Sequence, residues 1–147
     1  MIFNLSKFKY GQVYEYLATT YTLKKEYVEA EPFFQKSIEY YTESNTKAYL
    51  YKAHYNNGLN YLKMNDLQKS KKSFLEVLSI KKDTSLDPNF INSLKHLSEI
   101  YVKQNNKDSA SYYFTKHQNL LAKANKRAEI ENEKILSSTD ETYALKK

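Results

Sequence analysis

The sequence has no cysteine and no tryptophan, and only two glycines and two prolines in 147 residues. Without cysteine, disulfide frameworks and thiolate zinc sites are excluded. Scarce glycine and proline disfavour an all-β fold, which needs many turn residues, and favour long uninterrupted helices. No apolar run approaches the roughly 18 residues that a membrane-spanning helix needs. The first eight residues also lack the apolar stretch of a secretory signal, so a cytoplasmic location is expected.

Arginine is nearly absent as well. Arg127 is the one arginine in the chain, although Lys and Arg together number 23 and the net charge is +6. Acidic residues are interspersed with the lysines, and no dense basic cluster occurs. This footprint argues against nucleic-acid binding, because bases are most often read by arginine. The pattern is typical of a solvated, mildly basic helical surface.

The motifs of the common enzyme classes are missing. There is no Gly-rich phosphate loop, no nucleophile elbow and no paired-histidine metal motif. The histidines His54, His96 and His117 occupy different sequence registers, which gives no reason to expect them to converge on one ion. We therefore expect no catalytic residue, no metal site and no cofactor. We expect His54 and His117 to pack at helix seams and His96 to face a groove.

What the sequence does contain is a repeat with a fixed period of 40 residues. An aromatic, a small and a second aromatic position recur at this interval: Tyr21, Tyr61 and Tyr101; Ala30, Ser70 and Ala110; Phe34, Phe74 and Phe114. A period of this size indicates a stack of supersecondary units rather than one globular core. Such stacks build extended surfaces that hold partners, and rarely catalytic pockets.

Each repeat is predicted to be a helix A, a short turn and a helix B. In the second repeat helix A runs from about Lys47 to Met64, and Asp66 is expected to cap helix B. The third repeat begins at Asp87-Pro88, a cap followed by proline at the first helical position. The predicted repeats cover about 11–46, 47–86 and 87–122.

Pro32 conflicts with a continuous first helix B, because proline removes a backbone hydrogen bond. That helix is expected either to start late, near Glu29, or to be kinked.

The two ends of the sequence differ from the repeats. Residues 1–10 align with the tail of a preceding repeat that has no helix A. Their apolar residues predict that the chain is a piece of a longer protein or dimerises there: Ile2, Phe3, Leu5 and Phe8. From Asp108 to about Leu136 there is no glycine or proline, which predicts an extended last helix, or helix B plus a capping helix. The predicted domain thus covers 1–136, with a disordered tail over 137–147.

In the second repeat, Gly58, Tyr61, Ser70 and Phe74 stand at the offsets at which the tetratricopeptide repeat has its Gly, Tyr, Ala and Phe. The sequence resembles this family over about residues 11–120. The resemblance implies an all-α fold, a right-handed α-solenoid of three helical hairpins plus a C-terminal extended or capping helix. Two departures are the period, 40 rather than 34, and Asn57, where the family has leucine. The lengthened repeats resemble those of bacterial peptide-pheromone receptors, and such repeats also occur in sensor histidine kinases and in several eukaryotic scaffolds.

In this family helix A supplies the inner, concave wall. The resemblance implies that the corresponding residues bind a peptide or protein: Gln12, Glu15, Tyr16, Thr19, Lys52, Tyr55, Asn56, Leu59, Lys63, Asn92, Lys95, His96 and Glu99. Amides can bond peptide backbone, tyrosine offers stiff contact area, and lysine attracts carboxylates. Because lysine outnumbers glutamate on this wall, the partner is expected to be neutral to acidic. A clamp for chaperone C-terminal tails is disfavoured, because Glu15 would repel the carboxylate.

Two functional hypotheses follow. The leading one is a peptide- or protein-binding module that uses the concave helix-A face, in the setting of the sensory part of a bacterial regulator. The alternative is a structural scaffold that self-associates through the exposed first repeat and the last helix, for instance as a homodimer.

Overall fold

The computed structural model describes residues 4–82 and 86–146, and the regular structure in these ranges is entirely α-helical. The predicted all-α fold is confirmed. Six helices follow one another along the chain: α1 (Leu5–Leu23), α2 (Tyr27–Glu43), α3 (Lys47–Lys63), α4 (Leu67–Ile80), α5 (Pro88–Lys103) and α6 (Lys107–Leu145).

The helices form three antiparallel hairpins, α1–α2, α3–α4 and α5–α6. The hairpins are stacked by packing of α2 on α3 and of α4 on α5. In each hairpin the first helix is the predicted helix A and the second is helix B. The predicted solenoid of three helical hairpins is therefore confirmed, and it places α1, α3 and α5 in one layer.

The turns after α1, α2, α3 and α5 share one geometry. Each has one residue with a left-handed backbone: Lys25 (φ 62°), Asn45 (φ 55°), Asn65 (φ 58°) and Asn105 (φ 56°). After α3, the N–H of Asp66 donates to the carbonyl of Tyr61 at 2.9 Å, and that of Asn65 donates to Leu62 at 3.0 Å. This is the Schellman arrangement, which satisfies the last carbonyls of a helix. The α2–α3 link is as short as the turns inside the hairpins. The residues by which the first repeat exceeds a 34-residue repeat therefore lie in its helices.

The helix starts predicted from the sequence are confirmed in two cases. The side chain of Asp66 accepts a hydrogen bond from the backbone N–H of Lys69 at 3.1 Å. The side chain of Asp87 accepts one from Asn89 at 2.9 Å, with Pro88 at the first helical position. These bonds satisfy N–H groups that have no partner inside the helix.

Small residues allow the helices of one hairpin to approach closely. Gly58 on α3 lies against Phe74 on α4, and a Cβ at position 58 would come within 2.9 Å of two ring carbons. Beside this contact the hydroxyl of Ser70 donates to the carbonyl of Gly58 at 2.8 Å. In the first hairpin, Ala18 and Ala30 are both fully buried. In the first two hairpins the small residues and the aromatic residues Phe34 and Phe74 thus form the seams.

The first helix begins earlier than the sequence alignment suggests. Residues 5–10 form the first turns of α1, so the prediction that they are the tail of a preceding repeat is wrong. The ring of Phe8 packs against Tyr49 and Tyr41, with ring centroids 4.8 and 6.0 Å apart. Those contacts hold the start of α1 against α2 and α3. Ile2 and Phe3 lie outside the described residues.

Pro32 does not delay the second helix. Helix α2 begins at Tyr27 and continues through Pro32, so the predicted late start near Glu29 is wrong. The missing N–H of Pro32 would have bonded the carbonyl of Val28. The side chains of both residues are exposed, so they lie on the side of α2 where water can serve that carbonyl instead.

The last helix is one continuous element that reaches Leu145. The extended-helix alternative is the one observed, and the predicted disordered tail over 137–147 is wrong for residues 137–145. From residue 125 to residue 146 every side chain is exposed, so this part of α6 projects from the hairpin stack. None of the helices in the described ranges combines the length and apolarity needed to cross a bilayer.

Candidate protein-binding surface

The thirteen residues predicted to form the inner wall all lie on α1, α3 and α5. On α3, Lys52, Asn56, Leu59 and Lys63 follow three- and four-residue steps, so they share one face. Eight wall residues are exposed: Gln12, Tyr16, Thr19, Lys52, Lys63, Asn92, Lys95 and Glu99. Five are partly covered: Glu15, Tyr55, Asn56, Leu59 and His96.

The centre of this surface is an aromatic group that joins the second and third hairpins. The His96 ring stacks on Phe74 with centroids 5.0 Å apart, and it lies 6.3 Å from the ring of Tyr55. Burial raises the pKa of the Tyr55 hydroxyl, and a hydrogen bond from the side chain of Asn92 partly offsets this effect. Tyr55, Asn92 and His96 are therefore brought together across α3 and α5.

The rest of the α3 face surrounds this group. Leu59 packs against the core cluster of Phe74, Leu97 and Ile100, so it supports the seam more than it offers free contact area. Asn56 is half-buried, and no hydrogen-bond partner for its side chain occurs in the described part of the chain. An amide in that state can donate to and accept from a peptide backbone.

The charges at the third hairpin are balanced. Glu99 lies 3.6 Å from the Nδ1 atom of His96. Burial lowers the pKa of His96, and Glu99 acts in the opposite direction. Burial and then the nearby Lys95 lower the pKa of His117, which is buried between α5 and α6. Both shifts favour the neutral form of the imidazole ring, and the lysines supply the formal positive charge of the surface.

On the first helix the surface is less available than the sequence suggests. The Tyr41 hydroxyl donates a hydrogen bond to the Glu15 carboxylate. Burial first, and then the bond to Glu15, raise the pKa of Tyr41. The hydroxyl of Thr19 donates to the backbone carbonyl of Glu15 at 2.9 Å. Tyr16 is 74% exposed, so it is the freest aromatic contact on α1.

The opposite face of α3 carries a second feature that sequence reasoning missed. His54, Asn57 and Tyr61 line a cavity of about 510 Å³ between α2, α3 and α4. The available signal was the pair of polar residues at 54 and 57, where the third repeat has Leu94 and Leu97. In the described ranges no group of three or more His, Cys, Asp or Glu residues could hold a metal ion.

The structure is a stack of antiparallel helical hairpins, and the first helix of each pair contributes to one shared surface. This arrangement defines the class of protein. Residues 51–84 match the family model of the tetratricopeptide repeat. The crystal structure of the TPR domain of Arabidopsis FLU matches with a TM-score of 0.72 and 15% identity, covering 80% of this chain and 98% of that chain. No curated protein matches the sequence. Residues 51–84 thus match a tetratricopeptide repeat, and the chain has the fold of a TPR domain, a fold that typically serves protein–protein interaction.

Proposed function

We propose that the face formed by α1, α3 and α5 binds an extended, neutral to acidic segment of a partner protein. The observation that carries this proposal is the group of Tyr55, Asn92 and His96, which joins two hairpins into one continuous surface. An extended peptide needs such a surface, because its backbone must meet polar groups at intervals along its length.

The chemistry around the group supports a peptide ligand. Asn56 and Asn92 can each bond backbone carbonyl and N–H groups. Tyr16 and Tyr55 offer rigid contact area that loses little side-chain entropy on binding. Both classes of residue are common in surfaces that recognise polypeptides.

The charges support an acidic or neutral partner. Lys52, Lys63 and Lys95 are exposed, and among the described residues none of them has an ion-pair partner within 4 Å. Glu15 is engaged by Tyr41. Exposed lysines of this kind raise association rates with acidic partners more than final affinity.

The test is a selection of displayed peptides on the wild-type chain, followed by affinity measurement on variants. Lys52→Glu combined with Lys95→Glu is expected to weaken the selected peptides by at least about tenfold and to slow association. Asn56→Ala is expected to speed dissociation, because backbone bonds are lost.

A matched control makes the same charge change on the projecting part of α6, with Lys126→Glu and Lys134→Glu. This control is expected to leave affinity unchanged. Equal loss in the control, or selected peptides that are basic, would overturn the assignment of the surface.

A second candidate function, self-association of stacked copies, rests on a different observation. Phe114 on α6 is 54% exposed, although Phe74 in the same register is fully buried against α5. At the other end, Tyr10 on α1 is 56% exposed, although Phe90 in the same register is 1% exposed. The end faces therefore repeat the two sides of an internal seam, and a second copy could stack head to tail.

Sedimentation over a concentration series tests this candidate. Stacking predicts open-ended growth that Phe114→Glu abolishes, because a heterologous contact does not close. A single species at all concentrations, or growth that Phe114→Glu leaves intact, would exclude stacking through this face.

The proposal extends to a cytoplasmic setting and to the sensory part of a bacterial regulator. Its support is the 40-residue period, which resembles the lengthened repeats of bacterial peptide receptors.

A further inference from the structure

The cavity between α2, α3 and α4 lies on the side of α3 away from the proposed binding surface. On α3 it is lined by His54, Asn57 and Tyr61, which follow three- and four-residue steps and so share one face. Its volume is about 510 Å³, within the range of small-molecule sites.

The next seam of the same protein shows that the fold does not require a polar cavity here. Forty residues later, Leu94 and Leu97 replace His54 and Asn57, and both leucines are buried in the core. Leu78, which replaces Ile38, packs against the same clusters. The seam between α4, α5 and α6 is therefore filled with apolar side chains, whereas the corresponding seam between α2, α3 and α4 is lined with polar ones.

The polar lining leaves one buried acceptor without a donor. The Tyr61 hydroxyl donates to Oε1 of Glu31 at 2.9 Å and accepts from Nε2 of Gln35 at 3.0 Å. The side chain of Asn57 also acts on this hydroxyl, and it lowers the pKa of Tyr61 against the stronger effect of burial. Because the hydroxyl proton is used on Glu31, Asn57 must approach with its N–H, which turns its Oδ1 away from Tyr61.

That oxygen has no hydrogen-bond partner among the described residues, and Asn57 is only 2% exposed. A buried acceptor in this state is costly unless something donates to it.

The cavity lining carries two carboxylates and two lysines, of which one pair is joined. Glu31 is paired with Lys69 at 3.0 Å, whereas Glu76 has no ion-pair partner within 4 Å in the described ranges. Burial lowers the pKa of His54, and Glu76 opposes this only in part, so the shift favours the neutral ring, which does not repel a cation. Lys72, also on the lining, is exposed, and its flexible side chain can turn into solvent.

We propose that this cavity binds a compact organic cation that carries N–H donors, a guanidinium or a primary ammonium group. The cation donates to Oδ1 of Asn57 and pairs with the carboxylate of Glu76. Such a group can belong to a free small molecule or to an arginine or lysine side chain of a partner.

Two probes distinguish these sources, agmatine and a blocked Ala-Arg-Ala peptide, each titrated while amide and His54 ring signals are followed by NMR. Binding of agmatine supports a free cation, and binding of the peptide alone supports a partner side chain. Tetramethylammonium has the same single charge as the arginine of the peptide but no N–H groups, and it is expected to bind at least about tenfold more weakly than the peptide. Equal binding of tetramethylammonium would overturn the role of Asn57.

Variants complete the test. Asn57→Leu is expected to fold, because Leu97 occupies the same register, and to weaken the bound probe by at least about tenfold. Glu76→Gln is expected to weaken it too, while the control Glu129→Gln on the projecting part of α6 is expected to have no effect. The Lys52→Glu and Lys95→Glu variant should bind the probe normally, which separates this site from the proposed peptide surface. Unchanged binding in Asn57→Leu, or no signal change with either probe, would overturn the proposal.

Discussion

Replacing Phe74 by alanine is expected to lower the free energy of unfolding by about 3–5 kcal/mol. The same change at Phe114 is expected to lower it by less than about 1 kcal/mol. Phe74 is fully buried and packs against Leu97 and Ile100 of the next hairpin. Phe114 holds the same register forty residues later, and yet 54% of its surface is exposed. No described helix follows α6 to cover it.

Urea unfolding of the two variants, followed by circular dichroism, provides the measurement. It should be made at a concentration where the chain is monomeric, so that stacking does not contribute. The pair is a matched control, because residue type and repeat register are identical. A cost at Phe114 equal to that at Phe74 would mean that another surface covers Phe114 in solution.

Replacing Gly58 by alanine is expected to destabilise the protein by about 1–3 kcal/mol. In most helices this change would stabilise by about 1 kcal/mol, because glycine is a poor helix former. Here the added Cβ would lie 2.9 Å from two carbons of the Phe74 ring. Since that ring is fully buried, it has little room to move away.

A double-mutant cycle isolates this contact. In a Phe74→Leu background the ring is gone, and Gly58→Ala is expected to be neutral or stabilising by up to about 1 kcal/mol. Thermal or urea unfolding of the four proteins gives the sign of the effect in each background. The same cost in both backgrounds would show that the Phe74 ring is not what excludes a side chain at position 58.

The fold was predictable because the sequence repeats itself and each repeat carries its own start and stop signals. Asp66 and the Asp87-Pro88 pair mark helix starts that the structure confirms. Asn65 and Asn105 mark turns, since asparagine tolerates a left-handed backbone better than most residues. These signals are local, and they recur in successive repeats of a periodic sequence.

What sequence reasoning missed depends on neighbours rather than on local signals. Phe114 holds the register of the buried Phe34 and Phe74 and is nevertheless exposed, because no further helix in the described ranges packs against it. The polarity of residues 137–147 predicts disorder, whereas α6 continues to Leu145. Pairs one helical turn apart, such as Arg127 and Glu131 at 3.1 Å, stabilise an exposed helix by about 0.2–0.5 kcal/mol each.

The proposed binding surface and the cavity around Asn57 were only partly predictable for the same reason. The predicted wall residues lie on the expected helices, but the engagement of Glu15 by Tyr41 involves a second helix that register alone does not specify. The cavity around Asn57 needs side chains from three helices. Asparagine at position 57, where the family has leucine, indicates an amide between two helices. It carries no information about the volume of the cavity beside it.

The stacking of helices on their neighbours in the chain also bears on how the protein folds. Apart from a small contact between α3 and α5, the main packing joins helices that are consecutive in sequence. Chains dominated by such local contacts have low contact order and fold fast, because few long loops must close first. Each hairpin can then serve as a nucleus to which the next is added. A partner bound across α3 and α5 would bridge two of these units and join their unfolding into one transition.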